Sequence, residues 1–224
     1  MIFKTCNLCS FPIIRINKSV FGTRCIRCRS SYAHRALGFY FQNLKINNSI
    51  FIHEFSNHGA FLKYLKKHFN NLSTSEYFDN VKSGDYVNGI QCQDLQNLSF
   101  FDDSIDIFTS TEVFEHVPDD TKGFKEIFRC LKPGGSFIFT VPLDINNEET
   151  VVRAKLVDGD IIHILEPEYH GDHLREKGIL SFRTYGRDII KKLVSIGFSD
   201  AKIIEIFEPN LAMDKPLPII HCVK

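Results

Sequence analysis

No apolar run in the 224 residues approaches the roughly 18 needed for a helix to span a bilayer. The opening Met1-Ile2-Phe3-Lys4-Thr5-Cys6 holds no apolar stretch long enough for a secretory signal. The expected place is therefore the cytoplasm, with no insertion into a membrane. Internal repeats and low-complexity tracts are also missing, and 43% hydrophobic with 24% charged residues is ordinary for a globular chain. The seven cysteines are odd in number and spread over a long chain, which argues against a secreted disulfide framework. Acids are missing from residues 1–53, which carry eight Lys or Arg; the first acid is Glu54. Such a basic segment can meet phosphates. It can equally balance four thiolates on one zinc ion, a group with a net charge of about −2.

What is present is room for one substantial core and a small appendage. Ala36, Leu37, Tyr40, Phe41 and Leu44 recur at helical spacing and predict a helix over 33–46. Strand-like runs follow at 49–53, 72–78, 87–92, 105–110 and 136–141. Helical patterns stand at 60–69, 121–131 and 185–196, the last ending at Gly197. Lys132-Pro133-Gly134-Gly135 reads as a turn, and strands at 201–207 and 219–223 as a terminal hairpin. This alternation predicts an α/β protein with a mostly parallel twisted sheet and helices on both faces. Its ligands belong at the carboxyl ends of the strands. The expected units are a zinc-ribbon module at 1–32, a linking helix at 33–48, and a sheet domain at 49–224 with an inserted lid at about 144–183.

Cys6-x-x-Cys9 and Cys25-x-x-Cys28 are fifteen residues apart. Each pair can form a tight knuckle, so that four thiolates meet one tetrahedral zinc ion. Four cysteines leave no open position, so the site is structural. The competing reading, a redox dithiol, usually has one such pair opening a helix. Cys92, Cys130 and Cys222 stand alone in apolar surroundings and read as small buried hydrophobes.

After the first strand the chain reads His53-Glu54-Phe55-Ser56-Asn57-His58-Gly59. Further on come Gln93-Asp94-Leu95, Asp103-Ser104-Ile105-Asp106, Glu112-Val113-Phe114-Glu115-His116-Val117, and Leu131-Lys132-Pro133-Gly134-Gly135. In this order and spacing, residues 49–207 resemble class I S-adenosylmethionine-dependent methyltransferases of the type 11 kind, here with an N-terminal zinc ribbon. The resemblance implies a Rossmann-like fold and S-adenosyl-L-methionine as cofactor. It implies that Glu54 holds the methionine end, with Ser56 and Gly59 in the turn below it. Glu76 would accept from the ribose hydroxyls, with Tyr77 beside it. Asp94 would accept from the adenine amino group, while the Leu95 backbone donates to the ring. Thr111 and Glu112 would face the methyl-transfer centre. Only Gly59 remains of the glycines usual in the first turn; Ser56 and His58 stand where glycine is common.

The long connection holds Arg153, His163, Glu166, Glu168, Tyr169, His170, Asp172 and His173. Long connections in compact domains usually serve a site or move. Residues 169–173 are expected to line the acceptor site, with His170 taking a proton there. A solvated polar lid is the plainer reading, and no spacing here is diagnostic of a metal. His116 either acts as a base or shapes its loop by donating to a carbonyl. The expected function is methyl transfer to a small molecule or glycan precursor. The alternatives are an RNA methyltransferase whose basic ribbon holds nucleic acid, and a catalytically silent binding module.

Overall fold

The structure is a computed structural model that describes residues 4–19, 22–172 and 174–224. Two short strands, β1 (Ile13–Arg15) and β2 (Thr23–Cys25), form an antiparallel ribbon near the N-terminus. Helix α1 (Tyr32–Asn43) follows. Then come β3 (Phe51–Glu54), α2 (Ala60–His68), β4 (Asn71–Glu76), β5 (Tyr86–Val87), β6 (Ile90–Cys92) and β7 (Ile105–Thr111). Helix α3 (Asp120–Cys130) leads into β8 (Leu131–Thr140). The connection carries β9 (Val151–Val152), β10 (Ala154–Val157), β11 (Asp160–His163), β12 (Tyr169–His170), β13 (Ile179–Leu180) and β14 (Arg183–Thr184). Helix α4 (Asp188–Ile196), β15 (Asp200–Ile206) and β16 (Leu217–Val223) end the chain.

Eight strands form one sheet in the order β15-β16-β8-β7-β3-β4-β6-β5. The neighbours from β8 through β6 run parallel, while β16 is antiparallel to both β8 and β15. The order reverses between β3 and β7, so a crevice opens where their carboxyl ends diverge. Alternation along each strand divides the core. Ile107 packs with Phe41, Phe61 and Leu65 of α1 and α2, whereas Phe108 packs with Phe124, Ile127 and Leu193 of α3 and α4. This is the expected layering, with helices on both faces.

Several local expectations change. The segment read as one strand over 87–92 is a hairpin, β5–β6, closed at Asn88-Gly89. That dipeptide is the strongest short-range hairpin signal and was present in the sequence. The Lys132–Gly135 turn lies inside β8: Leu131 pairs with Ile105 and Ser136 with Ile107, so the extra residues bulge from the strand. The long polar connection is not bare loop but three short antiparallel pairings. The helix expected to link the units over 33–48 is α1, Tyr32–Asn43, and it is more than a link. Its Ala36, Leu37 and Phe41 share one buried cluster with Cys6 and Cys25 on one side and Ile107 and Ile219 of the sheet on the other.

Candidate active site

A cavity of about 680 Å³ opens at the carboxyl ends of β3, β4, β6 and β7. Glu54, the last residue of β3, is 2% exposed and accepts a hydrogen bond from the Thr109 hydroxyl. Burial pushes its carboxyl up to about 8. The next turn is closed by the Ser56 hydroxyl, which donates to the His58 carbonyl oxygen at 2.9 Å, and Gly59 begins α2. His34 of α1 enters the same cavity. Its Nδ1 accepts from the Ser31 backbone N–H at 3.1 Å, and the Ser31 hydroxyl accepts from the His34 N–H, which together cap α1. Burial holds this imidazole down to about 4, so it is neutral and its proton sits on Nε2. Sequence reasoning missed His34. Its signal was the Ser31-x-x-His34 spacing, a capping box with histidine in place of Glu or Gln.

Across the cavity, Glu76 ends β4 and receives the Tyr77 backbone N–H on Oε1 at 3.2 Å; His58 Nδ1 lies 3.7 Å from its Oε2. Asp94 Oδ1 accepts from the Gln96 backbone N–H at 2.9 Å, and its own N–H donates to Ser83 Oγ at 2.7 Å. Leu95 is buried beside it. The Gln93 side chain exchanges two hydrogen bonds with Ser99 and pins this loop. From the lid, Arg175 donates to Asp79 at 3.0 Å, pairs with Asp172, and stands over the Tyr77 ring with its guanidinium carbon 5.7 Å from the centroid.

The third wall follows β7. Thr111 is its last residue, and Glu112 takes a left-handed backbone, φ 55°. Burial and the neighbouring Glu115 carboxylate push Glu112 up to about 8. A short 3-10 turn, Phe114–His116, comes next. Arg183 holds it by donating to the carbonyls of Phe114 at 3.1 Å and Pro118 at 2.6 Å, and the Phe182 N–H donates to the Glu115 carbonyl at 2.8 Å. Glu115 is wholly buried. His116 Nδ1 donates to the Leu180 carbonyl at 2.8 Å, and its Nε2 stands 3.4 Å from Glu115 Oε1. His170 Nδ1 lies 3.5 Å from the same oxygen, and its Nε2 is 3.4 Å from Glu168 Oε1. Burial lowers His116, whereas the Glu115 carboxylate raises His170.

Every residue expected to hold the cofactor, Glu54, Ser56, Gly59, Glu76, Tyr77, Asp94, Leu95, Thr111 and Glu112, lines this one cavity, as do His116 and His170. His163 does not; it sits on the exposed β10–β11 hairpin. His173 lies outside the described residues. Both readings of His116 meet in one ring: one nitrogen ties the loop to Leu180 and the other faces Glu115. Glu115 itself was quoted in a motif but not singled out, because nothing local marks it as the buried member.

At the other end of α1, Cys6, Cys9, Cys25 and Cys28 bring their sulfurs within 4.8 Å of one another. Cys6 and Cys28 are 3.7 Å apart and Cys9 and Cys25 3.3 Å, and all four are free thiols. Zinc–sulfur bonds of about 2.3 Å at tetrahedral angles place sulfurs about 3.8 Å apart, so the donor set fits such an ion. Arg35, wholly buried behind them, bonds to three oxygens, none of them a carboxylate: Leu211 O at 2.9 Å, Ser30 O at 2.8 Å and Thr23 Oγ1 at 2.5 Å. Negative charge on Cys6, Cys25 and Cys28 would favour its charged form.

A family model described as a methyltransferase domain matches residues 56–139. Over 83 residues the chain is 31% identical to a ubiquinone biosynthesis O-methyltransferase of Coxiella burnetii. That match spans 37% of this chain and only 34% of the relative. A solved S-adenosylmethionine-dependent methyltransferase of Mesorhizobium loti superposes with a TM-score of 0.54 at 16% identity, covering 86% of this chain and 99% of that one. A phosphoethanolamine N-methyltransferase 2 of Haemonchus contortus, solved with phosphomonomethylethanolamine and S-adenosylhomocysteine, gives 0.50 at 13%, covering 92% and 55%. At these identities the likeness is one of fold. Among the described residues, no helix is long and apolar enough to cross a membrane.

Proposed function

We propose that this chain, built as a class I S-adenosylmethionine-dependent methyltransferase, moves a methyl group onto a hydroxyl oxygen of a small acceptor with an apolar body. One observation carries the reading. Glu54, Glu76 and Asp94, at or just past the carboxyl ends of β3, β4 and β6, share a single cavity with His116 and His170, behind which Glu115 is buried. Bound S-adenosylmethionine supplies an activated methyl group on a sulfonium. Glu54 and the Nε2–H of His34 would hold its methionine end, Glu76 and Tyr77 the ribose, and Asp94 with the Leu95 backbone the adenine. Thr111 and Glu112 would border the reacting centre.

A hydroxyl is a poor nucleophile until it loses its proton, so the acceptor side needs a group that takes it near neutral pH. The cluster of Glu115, His116 and His170 is suited to that work, with His170 its partly exposed member. The rest of the catalysis is alignment of oxygen and methyl carbon. Leu156 and Ile161, each about half exposed, reach the same cavity from the β10–β11 hairpin and give its mouth an apolar rim. This favours an apolar acceptor over a glycan precursor. The O-methyltransferase relative points the same way over the stretch that matches. The RNA reading is weaker, because part of the basic charge is used internally: Arg15 pairs with Asp214, Arg27 lies on Phe11 and Arg35 is buried. We also propose a structural zinc ion on the four cysteines.

The test is calorimetry with S-adenosylhomocysteine, followed by labelled S-adenosylmethionine with alkylated phenols, sugars and RNA. Homocysteine-nucleoside binding and a labelled phenolic ether support the reading. Label only in sugar or RNA overturns the acceptor assignment. Absence of cofactor binding at millimolar concentration leaves the silent binding module.

A further inference from the structure

We propose that Glu115, His116 and His170 form a divalent metal site on the acceptor side of the cavity. The argument begins with protons. His116 donates its Nδ1–H to the Leu180 carbonyl, so the neutral ring carries a lone pair on Nε2. That lone pair lies 3.4 Å from Glu115 Oε1. His170 turns Nε2 toward Glu168 Oε1 at 3.4 Å and Nδ1 toward Glu115 Oε1 at 3.5 Å. In the neutral ring, a proton on Nε2, facing the Glu168 carboxylate, leaves a second lone pair on Nδ1 aimed at the same Glu115 oxygen. Glu115 is wholly buried, and neither carboxylate oxygen has a hydrogen-bond partner among the described residues. With both rings neutral, three electron-rich atoms face one another around the buried Glu115 carboxylate.

A cation resolves this. The three donor atoms lie within 4.8 Å of one another. Metal bonds of about 2.0–2.2 Å to nitrogen and oxygen set neighbouring donors about 3–3.5 Å apart, as the two nitrogen–oxygen separations of 3.4 and 3.5 Å are here. Both imidazoles also have the supporting contact that metal-bound histidines make through their other nitrogen, one to a backbone carbonyl and one to a carboxylate. Two imidazoles and one carboxylate suit a borderline divalent ion such as Mn2+, Fe2+ or Zn2+, and leave coordination positions open. An acceptor hydroxyl bound there would lose its proton to solvent more readily, and His170, as a ligand of the ion, would position it rather than take the proton itself. Its oxygen lone pair would then form the O–CH3 bond as the S–CH3 bond breaks, leaving a neutral thioether and a neutral ether. That role rests on the proposed O-methyl transfer; the binding of the ion does not.

The experiment measures Mn2+ binding to the full chain by electron paramagnetic resonance, without cofactor, alongside calorimetry with S-adenosylhomocysteine. Mn2+ prefers N and O donors and so reports this site rather than the thiolates. One bound equivalent is expected. Glu115→Gln and His170→Ala should each weaken it about 10-fold or more, while nucleoside affinity, which also reports folding, stays within about twofold. Glu168→Gln should weaken Mn2+ less. A wild-type protein that binds S-adenosylhomocysteine but no Mn2+ overturns the metal site and leaves methyl transfer standing, with a protonated His170 bridging the two carboxylates instead. Mn2+ binding insensitive to both substitutions overturns it as well. Mn2+ bound as described without any nucleoside binding supports the site and removes the methyl-transfer reading.

Discussion

The Nε2 of His34 stands 3.3 Å from the place a Cβ would take on Gly59. Gly59 opens α2 at φ 106°, a conformation that side chains resist, and it faces a ring fixed from behind by Ser31. Gly59→Ala must therefore strain the backbone and push His34 away. A loss of about 1–3 kcal/mol in unfolding free energy is expected. Weaker binding of S-adenosylhomocysteine should accompany it. Unchanged thermal unfolding together with unchanged affinity would contradict both roles.

Glu76 ends β4 and Asp94 lies two residues past β6, both on the wall proposed to hold the nucleoside. Glu76→Ala and Asp94→Ala should each weaken S-adenosylhomocysteine binding by about 1–3 kcal/mol, the cost of leaving a ligand donor unsatisfied. Calorimetry on the two variants checks this. Full affinity in both would place the nucleoside elsewhere.

Glu54 is pushed up to about 8 by burial, so at neutral pH its carboxyl is mostly protonated in the empty cavity. A methionine ammonium group favours the ionised form. Binding below about 8 must then release a proton. Affinity should rise with pH up to about 8 and level off above it, and Glu54→Gln should flatten that slope. For folding the sign is opposite. The raised value contributes stability that is present below the ordinary carboxylate range and is lost as pH rises through about 8. Calorimetry in buffers of different ionisation heat would count the proton; none released at pH 7 would refute the assignment.

Purified protein should hold one zinc ion per chain, measurable by elemental analysis. Cys6 and Cys25 share their buried cluster with Tyr32, Leu37 and the sheet residue Ile107. Loss of the ion should accordingly loosen α1 as well as the ribbon, since a structural ion contributes folding energy. Cys25→Ser is expected to lower the thermal midpoint of the whole domain and to weaken nucleoside binding through His34. Unfolding confined to residues 4–32, with the sheet domain's midpoint unchanged, would show the ribbon to be independent.

Gly178 immediately precedes Ile179, the residue paired with His170 across β12–β13, and takes φ 78°, where a Cβ would run into the His170 carbonyl. Gly178→Ala should displace His170 and lower turnover by about 10²-fold, in the range of general acid–base losses, with little change in nucleoside affinity. Turnover at the wild-type rate would detach His170 from the chemistry.

Local pattern by itself determined much of this protein. The alternation of Ile107 and Phe108, the helical spacing of Ala36, Leu37 and Phe41, and the two Cys-x-x-Cys pairs are properties of short stretches. Side-chain period follows from backbone geometry, and so the sheet, its helices and the cysteine cluster were legible. The acids at 54, 76 and 94 were marked by the resemblance of the surrounding motifs to class I methyltransferases. What only the tertiary structure decided are pairings between distant segments. Arg183 fixes carbonyls at Phe114 and Pro118, His34 reaches Gly59, and His170 meets Glu115. Each joins residues at least 25 positions apart, and none follows from any period of two or 3.6. The same holds for the β12–β13 pairing that carries His170, whose two-residue strands are too short to leave an alternation. Burial of Glu115 is likewise a property of the assembled walls around it, which is why a residue plainly visible in its motif revealed its surroundings only in the folded chain.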